Sequence, residues 1–268
     1  MMHQNTFGKY LVHARFTIKR RLAFKLDMAL LFGLQIISPM IMLFVWSAVY
    51  LATQVSAINN FTLLQIATYF FVVAAVNSMA PDSAWGILSD IKSGGTFSIM
   101  IKPLSYLKSV VVMGGANFLF EACTIGAPIL ILLYILTGTL LSAYSLGLFV
   151  LSLLIAFALG MMFNIILGYL AFFIVETAGV INIYYFTIDF FGGWLVPLNL
   201  FPQYISSITS VLPFQFLYYF PAAIFSHAIN NAQAIALLSV AAFWLVMVAI
   251  LTWGVVFAAK RHIDAVGV

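Results

Sequence analysis

The sequence predicts an all-α membrane protein: six transmembrane helices, an N-terminal amphipathic interfacial helix, and a re-entrant helical hairpin between spans five and six, with both termini cytoplasmic. Three observations predict it. The 268 residues are 65% hydrophobic and only 7% charged, with mean hydropathy +1.14, against roughly 25% charged residues in soluble domains. The chain divides into about six apolar runs of roughly 20 residues, the length that crosses a bilayer as a helix. Finally, Lys9, Arg15, Lys19, Arg20, Arg21 and Lys25, then Lys92, Lys102 and Lys108, then Lys260 and Arg261 account for all 11 basic side chains. Cytoplasmic loops collect Lys and Arg, so these clusters mark one side of the membrane and the uncharged connections mark the other.

Each element follows in order. Residues 6–25 read as an amphipathic helix, because Phe7, Tyr10, Leu11, Ala14, Ile18 and Leu22 recur at helical spacing while Lys9, His13, Lys19 and Arg20 fall elsewhere. It is expected to lie in the cytoplasmic interface with its bases on lipid headgroups; the simpler alternative is a basic flank that orients the first span. Span one, about 28–51, carries Pro39, which predicts a kink near Ser38. The first apolar run is too long for a signal-peptide core, so no cleaved leader is expected. Residues 52–61 are uncharged and external. Span two, about 62–80, stops at Pro81, and Asp82 is placed to N-cap a short cytoplasmic helix that Gly94 and Gly95 end.

Span three, about 109–136, leads through the small external turn 137–144 to span four, about 145–175. Along span four, Ala156, Gly160, Asn164 and Gly168 recur every four residues, a low ridge on which another helix can pack closely while Asn164 hydrogen-bonds across. Glu176 marks a cytoplasmic turn into span five, about 178–196, and span six is about 232–259. Residues 192–226 are too apolar for an ordinary loop, yet Gly192, Gly193, Pro197, Pro202, Pro213 and Pro221 interrupt them. Two short helices, 202–210 and 213–226, that dip into the outer leaflet and return would reconcile the two facts. Broken backbone at that depth must pack against protein or line a cavity.

The chemistry is mostly one of absences. No GxxxxGK[ST] phosphate loop, HExxH motif or cluster of His, Asp and Glu at ligand spacing occurs, and Cys123 is the only cysteine. No nucleic-acid partner is expected, because the bases flank apolar spans and suit anionic lipid headgroups instead. Two carboxylates fall within spans: Glu121 near the midpoint of span three and Asp189 about halfway along span five. With no Lys or Arg inside any span, both are expected to lack a cationic partner, and to be protonated or hydrogen-bonded to polar side chains. They serve either as a proton site or polar contact for substrate, or simply as helix-to-helix hydrogen bonds or a face turned to an aqueous cavity.

Asp90-Ile91-Lys92-Ser93-Gly94-Gly95-Thr96-Phe97, followed by Ile101-Lys102-Pro103-Leu104-Ser105, resembles the glycine turn and (Lys/Arg)-Pro-Leu pattern of ABC-2-type exporter permeases. Pro197-Leu198 through Phe201-Pro202, then Leu212-Pro213-Phe214 and Tyr219-Phe220-Pro221, is similar to that family's outer hairpin. Taken in order and together with the predicted topology, the resemblance covers nearly the whole chain. The resemblance implies a permease in the cell membrane that pairs with a second permease chain, as a homo- or heterodimer. Separate nucleotide-binding ATPase subunits carry ATP and Mg, so no cofactor is expected on this chain. It implies a coupling helix at 82–95, with Asp82, Trp85, Asp90, Lys92, Gly94, Gly95, Lys102 and Pro103, helped by Arg20 and Arg21. It further implies an outer gate at 197–226, built with Gly192, Gly193, Pro197, Phe201, Pro202, Pro213, Phe214 and Pro221. A permease for a hydrophobic or amphipathic substrate (a drug, lipid or glycan) is expected. A proton-coupled carrier using Glu121 and Asp189 is the alternative, and a structural membrane subunit without a route is a further one.

Overall fold

Backbone polar groups in an apolar medium must be satisfied within the chain, which favours helices. Helices dominate the computed structural model, which describes residues 6–59, 61–93, 105–138 and 140–265. Helix α1 (Thr6–Ala23) is separated from α2 (Lys25–Thr53) by Phe24 alone. α2 stays helical through the buried Pro39. A ribbon of β1 (Ala57–Ile58) antiparallel to β2 (Phe61–Thr62) follows, where a plain loop was expected. It is held by Tyr50, whose hydroxyl donates to the Phe61 carbonyl at 2.5 Å, and by Asn59 Nδ2, which donates to the Asn199 carbonyl at 3.2 Å. Thr62 and Gln65 then form a reciprocal capping box that starts α3 (Leu63–Ser78).

Next come α4 (Ala84–Lys92), α5 (Tyr106–Glu121) and α6 (Ala127–Thr137). The last two are joined by a π-helical turn over Ala122–Gly126, so 106–137 is one rod. The cause of the wide turn is Pro128, which has no N–H for the carbonyl four residues back. Helix α7 (Ala143–Tyr169) is capped by Ser142 and tightens into a 3-10 turn at Leu170–Phe172. After α8 (Thr177–Phe191) lie α9 (Gln203–Val211), α10 (Tyr219–Phe225) and α11 (Asn231–Ala265).

Among the described residues, four rods are long and apolar enough to cross a membrane: 25–53, 106–137, 143–172 and 231–261. α3 and α8, at 16 and 15 residues, rise only about 24 and 22 Å, short of a hydrocarbon core of roughly 30 Å. Helix α7 is the hub, packed against α11, α4, α10 and α8. Every residue of α10 is buried, and its Phe216–Phe225 neighbourhood joins Tyr69, Val72 and Val73 of α3 and Phe149 and Leu159 of α7 in one core. α2 is the outlier, touching mainly α3 and leaving Leu26, Leu34, Phe44 and Leu51 exposed.

Candidate functional site: a helix seated on a small-residue ridge

The ridge on α7 does take a close neighbour, and the neighbour is the segment 81–91. A methyl group built on Gly160 would lie 3.1 Å from Pro81 Cδ, and one on Gly168 would lie 2.5 Å from Ile87 Cβ. Gly168 is therefore required, since any side chain there would lift α4 off its seat. Between these glycines, Asn164 is buried and uses both the oxygen and the nitrogen of its amide. Its Oδ1 accepts from the backbone N–H groups of Ser83 (3.0 Å) and Ala84 (2.9 Å), and from the Tyr185 hydroxyl (3.2 Å); its Nδ2 donates to the Gly160 carbonyl (2.9 Å).

This corrects the expected role of Asp82. α4 begins at Ala84, and neither Asp82 nor Ser83 caps it through its side chain. Two of the orphan N–H groups at its start, those of Ser83 and Ala84, are satisfied from α7 instead, by Asn164. The single Tyr185 hydroxyl proton is shared between Asn164 Oδ1 and the nearer Asp82 Oδ1, at 2.7 Å, which ties the same segment to α8. Thus α4 is fastened to two rods at its first turn. Tyr185 carries no sequence signal for this part, being one aromatic among many.

The remaining predicted coupling residues divide by face. Ala84, Ile87 and Leu88 are buried, whereas Trp85, Ser89 and Lys92 are exposed at helical spacing on the opposite face. Asp90 lies between the faces and accepts from the Tyr106 hydroxyl at 2.9 Å, linking the far end of α4 to the start of α5. Gly94, Gly95, Lys102 and Pro103 lie outside the described residues.

Helix α1 packs lengthwise along α5. Tyr10 accepts at its hydroxyl from the Ser105 N–H (3.2 Å), and Arg21 meets Glu121 at 3.0 Å, so the two helices run in the same direction. The expectation that Glu121 lacks a cationic partner is therefore wrong. Sequence separation hides this pair, because Arg21 lies just ahead of span one rather than inside any span. Arg20 points elsewhere, exposed beside a second cavity of about 390 Å³ that His13, Asp90 and Tyr106 also line.

Arg21 and Glu121 border a polar chamber of about 320 Å³, completed by Gln35, Asn77, Asp82 and Asn117. Asn77 Oδ1 already accepts from the Tyr218 hydroxyl at 3.1 Å. Asn117 Oδ1 is shut off from solvent with no hydrogen-bond partner, a costly state for a buried acceptor. Asp189 takes no part in this ion pair or this chamber. It lies at the end of α8 rather than halfway along a span, near Tyr184 and Tyr218.

The predicted gate residues gather beside that end. Gly193 adopts φ +90°, and a methyl on it would sit 2.6 Å from the Tyr69 hydroxyl. That hydroxyl donates to the Gly193 carbonyl at 2.6 Å, and the Tyr219 N–H donates to the Gly192 carbonyl at 2.8 Å. Pro197 precedes a 3-10 turn at Leu198–Leu200, whose Asn199 accepts a short hydrogen bond from the Tyr219 hydroxyl. Pro202 begins α9, and Phe201 packs its ring 5.2 Å from Phe190. The expected helix over 213–226 is instead a 3-10 turn from Pro213 to Phe216 followed by α10, which contains Pro221. The break falls where Tyr219 turns its N–H to Gly192 instead of to its own helix. Phe214 packs 5.9 Å from Phe163 of α7.

No curated protein matches this chain. The model of the ABC-2 family transporter protein matches residues 36–259, which include the ridge, the seated helix, the chamber's α5 wall and the glycine-proline segment. The chain belongs to the ABC-2 transporter family, whose members are membrane components of transporters.

Proposed function

We propose that the chain is the permease subunit of an ATP-driven exporter in the cell membrane, moving a hydrophobic or amphipathic substrate of the drug, lipid or glycan class. Separate nucleotide-binding subunits supply ATP and Mg, and a second permease chain completes the route. Six spans fit this reading if α3 and α8 cross by drawing on their flanking turns. The termini and α4 are then cytoplasmic, and 197–226 is a re-entrant outer hairpin.

The observation that carries the proposal is the seating of α4. A force applied to its exposed face, Trp85 with Lys92, passes through Asn164 and Tyr185 into α7 and α8 without slack. Both rods lead towards the glycine pair and the buried α10, so a push on one side tilts the packing on the other. Coupling of this kind travels through rigid elements with two packed arrangements. α1 adds a second contact, with Arg15, Lys19 and Arg20 exposed beside Leu11 and Phe16, a mixture suited to anionic headgroups.

Depth also fits. The rod 106–137 has 32 residues, about 48 Å at 1.5 Å per residue, so roughly a dozen residues extend beyond a 30 Å core. With Thr137 at the outer boundary, Glu121 lies near the inner one, within reach of Arg21. Such a paired, marginal carboxylate does not favour a proton-coupled carrier.

The test is purification of the full chain from its native membrane in mild detergent. A phosphate-loop ATPase is expected to co-purify, and Trp85→Ala with Lys92→Glu is expected to release it. A chain that stays folded, isolates alone and transports without ATP would overturn the proposal.

A further inference from the structure

We infer that α1 and α5 form one arm that swings on the π-helical turn Ala122–Gly126, with the Arg21–Glu121 ion pair pinning its two joints together. The rod 106–137 is shared between two bodies. Its inner half, α5, packs lengthwise against α1, whereas its outer half, α6, packs against α3. The turn between them belongs to the second body. Its Ile125 sits in a small core with Ile129 of α6, Ala75 of α3 and Met79 just past the end of α3, and a methyl group on Gly126 would collide with Met79 Cε. Within the turn the Ala127 N–H reaches back five residues to the Ala122 carbonyl. Such a wide turn interrupts the regular four-residue ladder, which is where rods bend.

Two cavities leave the arm room. The one of about 390 Å³ lies between the α1–α5 pair and α4, and the chamber of about 320 Å³ lies between α5 and the α2–α3 pair. Between them, α5 meets the hub α7 through side chains that reach across: Tyr169 to Tyr106, Met161 to Gly114 and Phe157 to Phe118. α5 has 16 residues and rises about 24 Å, so a tilt of about 10° at the turn displaces its far end by about 4 Å. Such a tilt enlarges one cavity at the expense of the other. The far end is tied to α4 by the Tyr106 hydroxyl, which donates to Asp90, so movement of α4 reaches the arm.

The arm's other joint is Phe24, the single residue between α1 and α2. Because α2 packs on α3, both joints lead into the same body. Arg21, just before Phe24, meets Glu121, the last residue of α5, at 3.0 Å. The ion pair therefore holds the two joints at one level, and removing either partner leaves the other charge partly buried and unpaired. Hinges of this kind lie at the ends of elements, where a few residues absorb the change. In a permease the arm is an inner gate beside the chamber; that role rests on the permease reading, whereas the swing does not.

The test is double electron–electron resonance on the spin-labelled full chain in nanodiscs, in a Cys123→Ser background. Lys108→Cys with Ala258→Cys reports the arm against α11, and Ile135→Cys with Val240→Cys reports α6 against the same helix; all four positions are exposed. The background is expected to give one narrow distance for each pair. Arg21→Gln and Glu121→Gln are each expected to broaden or split the first distance by about 4 Å and to leave the second unchanged. The exchange Arg21→Glu with Glu121→Arg is expected to restore the narrow distance. Pro128→Ala, which permits a regular ladder, is expected to narrow it again in the Glu121→Gln chain. An unchanged first distance in both single variants, in chains that keep their melting temperature, would overturn the inference, and so would equal movement of both pairs, since the rod would then move as one piece. No ATPase takes part in this measurement, so failure of the arm and failure of the permease reading are separate outcomes.

Discussion

Asn164 performs three tasks with one side chain: it caps α4, braces its own helix at Gly160 and accepts from Tyr185. Asn164→Ala leaves two N–H groups of α4 without an acceptor in a buried place. The expected loss is about 1–3 kcal/mol of stability, read as a lower melting temperature of the detergent-solubilised chain. Asn164→Asp, which keeps an acceptor oxygen, is expected to recover much of the cap while losing the Gly160 contact. If the alanine variant melts with wild type, the seat does not depend on this cap. The residue's position on a ridge of small side chains was legible in the sequence, as was its ability to bond across. That its partner is the backbone of a helix 80 residues earlier was not, because backbone N–H groups carry no sequence signature.

At the scale of elements, the fit between α4 and α7 is governed by bulk. Gly168→Leu drives a side chain into Ile87, an overpacking that costs roughly 1–3 kcal/mol. It is expected to uncouple the chain from its ATPase while leaving the lipid-facing rods intact. Pairing it with Ile87→Ala is expected to restore much of both, a non-additive result that double-mutant cycles on melting temperature would detect. Additive losses would mean that the two helices do not share this contact. Most helical elements were readable from apolar runs and turn residues, with ends displaced by a few residues, whereas the cap expected at Asp82 and the single helix over 213–226 were not found. The π-helical turn and the short ribbon escaped notice. The first needs only a local response to Pro128, and the second pairs just two residues a side.

Across the whole molecule, the proposed topology puts α4 on one side of the membrane and the β1–β2 ribbon and the α10–α11 link on the other. In a Cys123→Ser background, single cysteines at Ser89 and at Ala57 or Ala228 test it. A membrane-impermeant maleimide added to intact cells is expected to label positions 57 and 228 but not 89 until the membrane is opened. Labelling of 89 from outside would reverse the orientation. The exposed apolar length of α2 belongs to this scale as well. In a bilayer that face contacts lipid or another chain, while Tyr50, with Met42 and Trp46, is what α2 gives to the core shared with α7.

By itself, the sequence determined that this protein is a bundle of apolar helices with a broken, glycine- and proline-rich segment before the last of them. Composition, periodicity and breaker residues act locally, and each can be read within a few turns of chain. Tertiary structure alone decided which distant groups meet: Arg21 with Glu121, Asn164 with the first turn of α4, and Tyr69 with Gly193. Those meetings depend on how the rods cross and how deep each one starts. A paired carboxylate and an unpaired one look identical along a chain, and only packing distinguishes them.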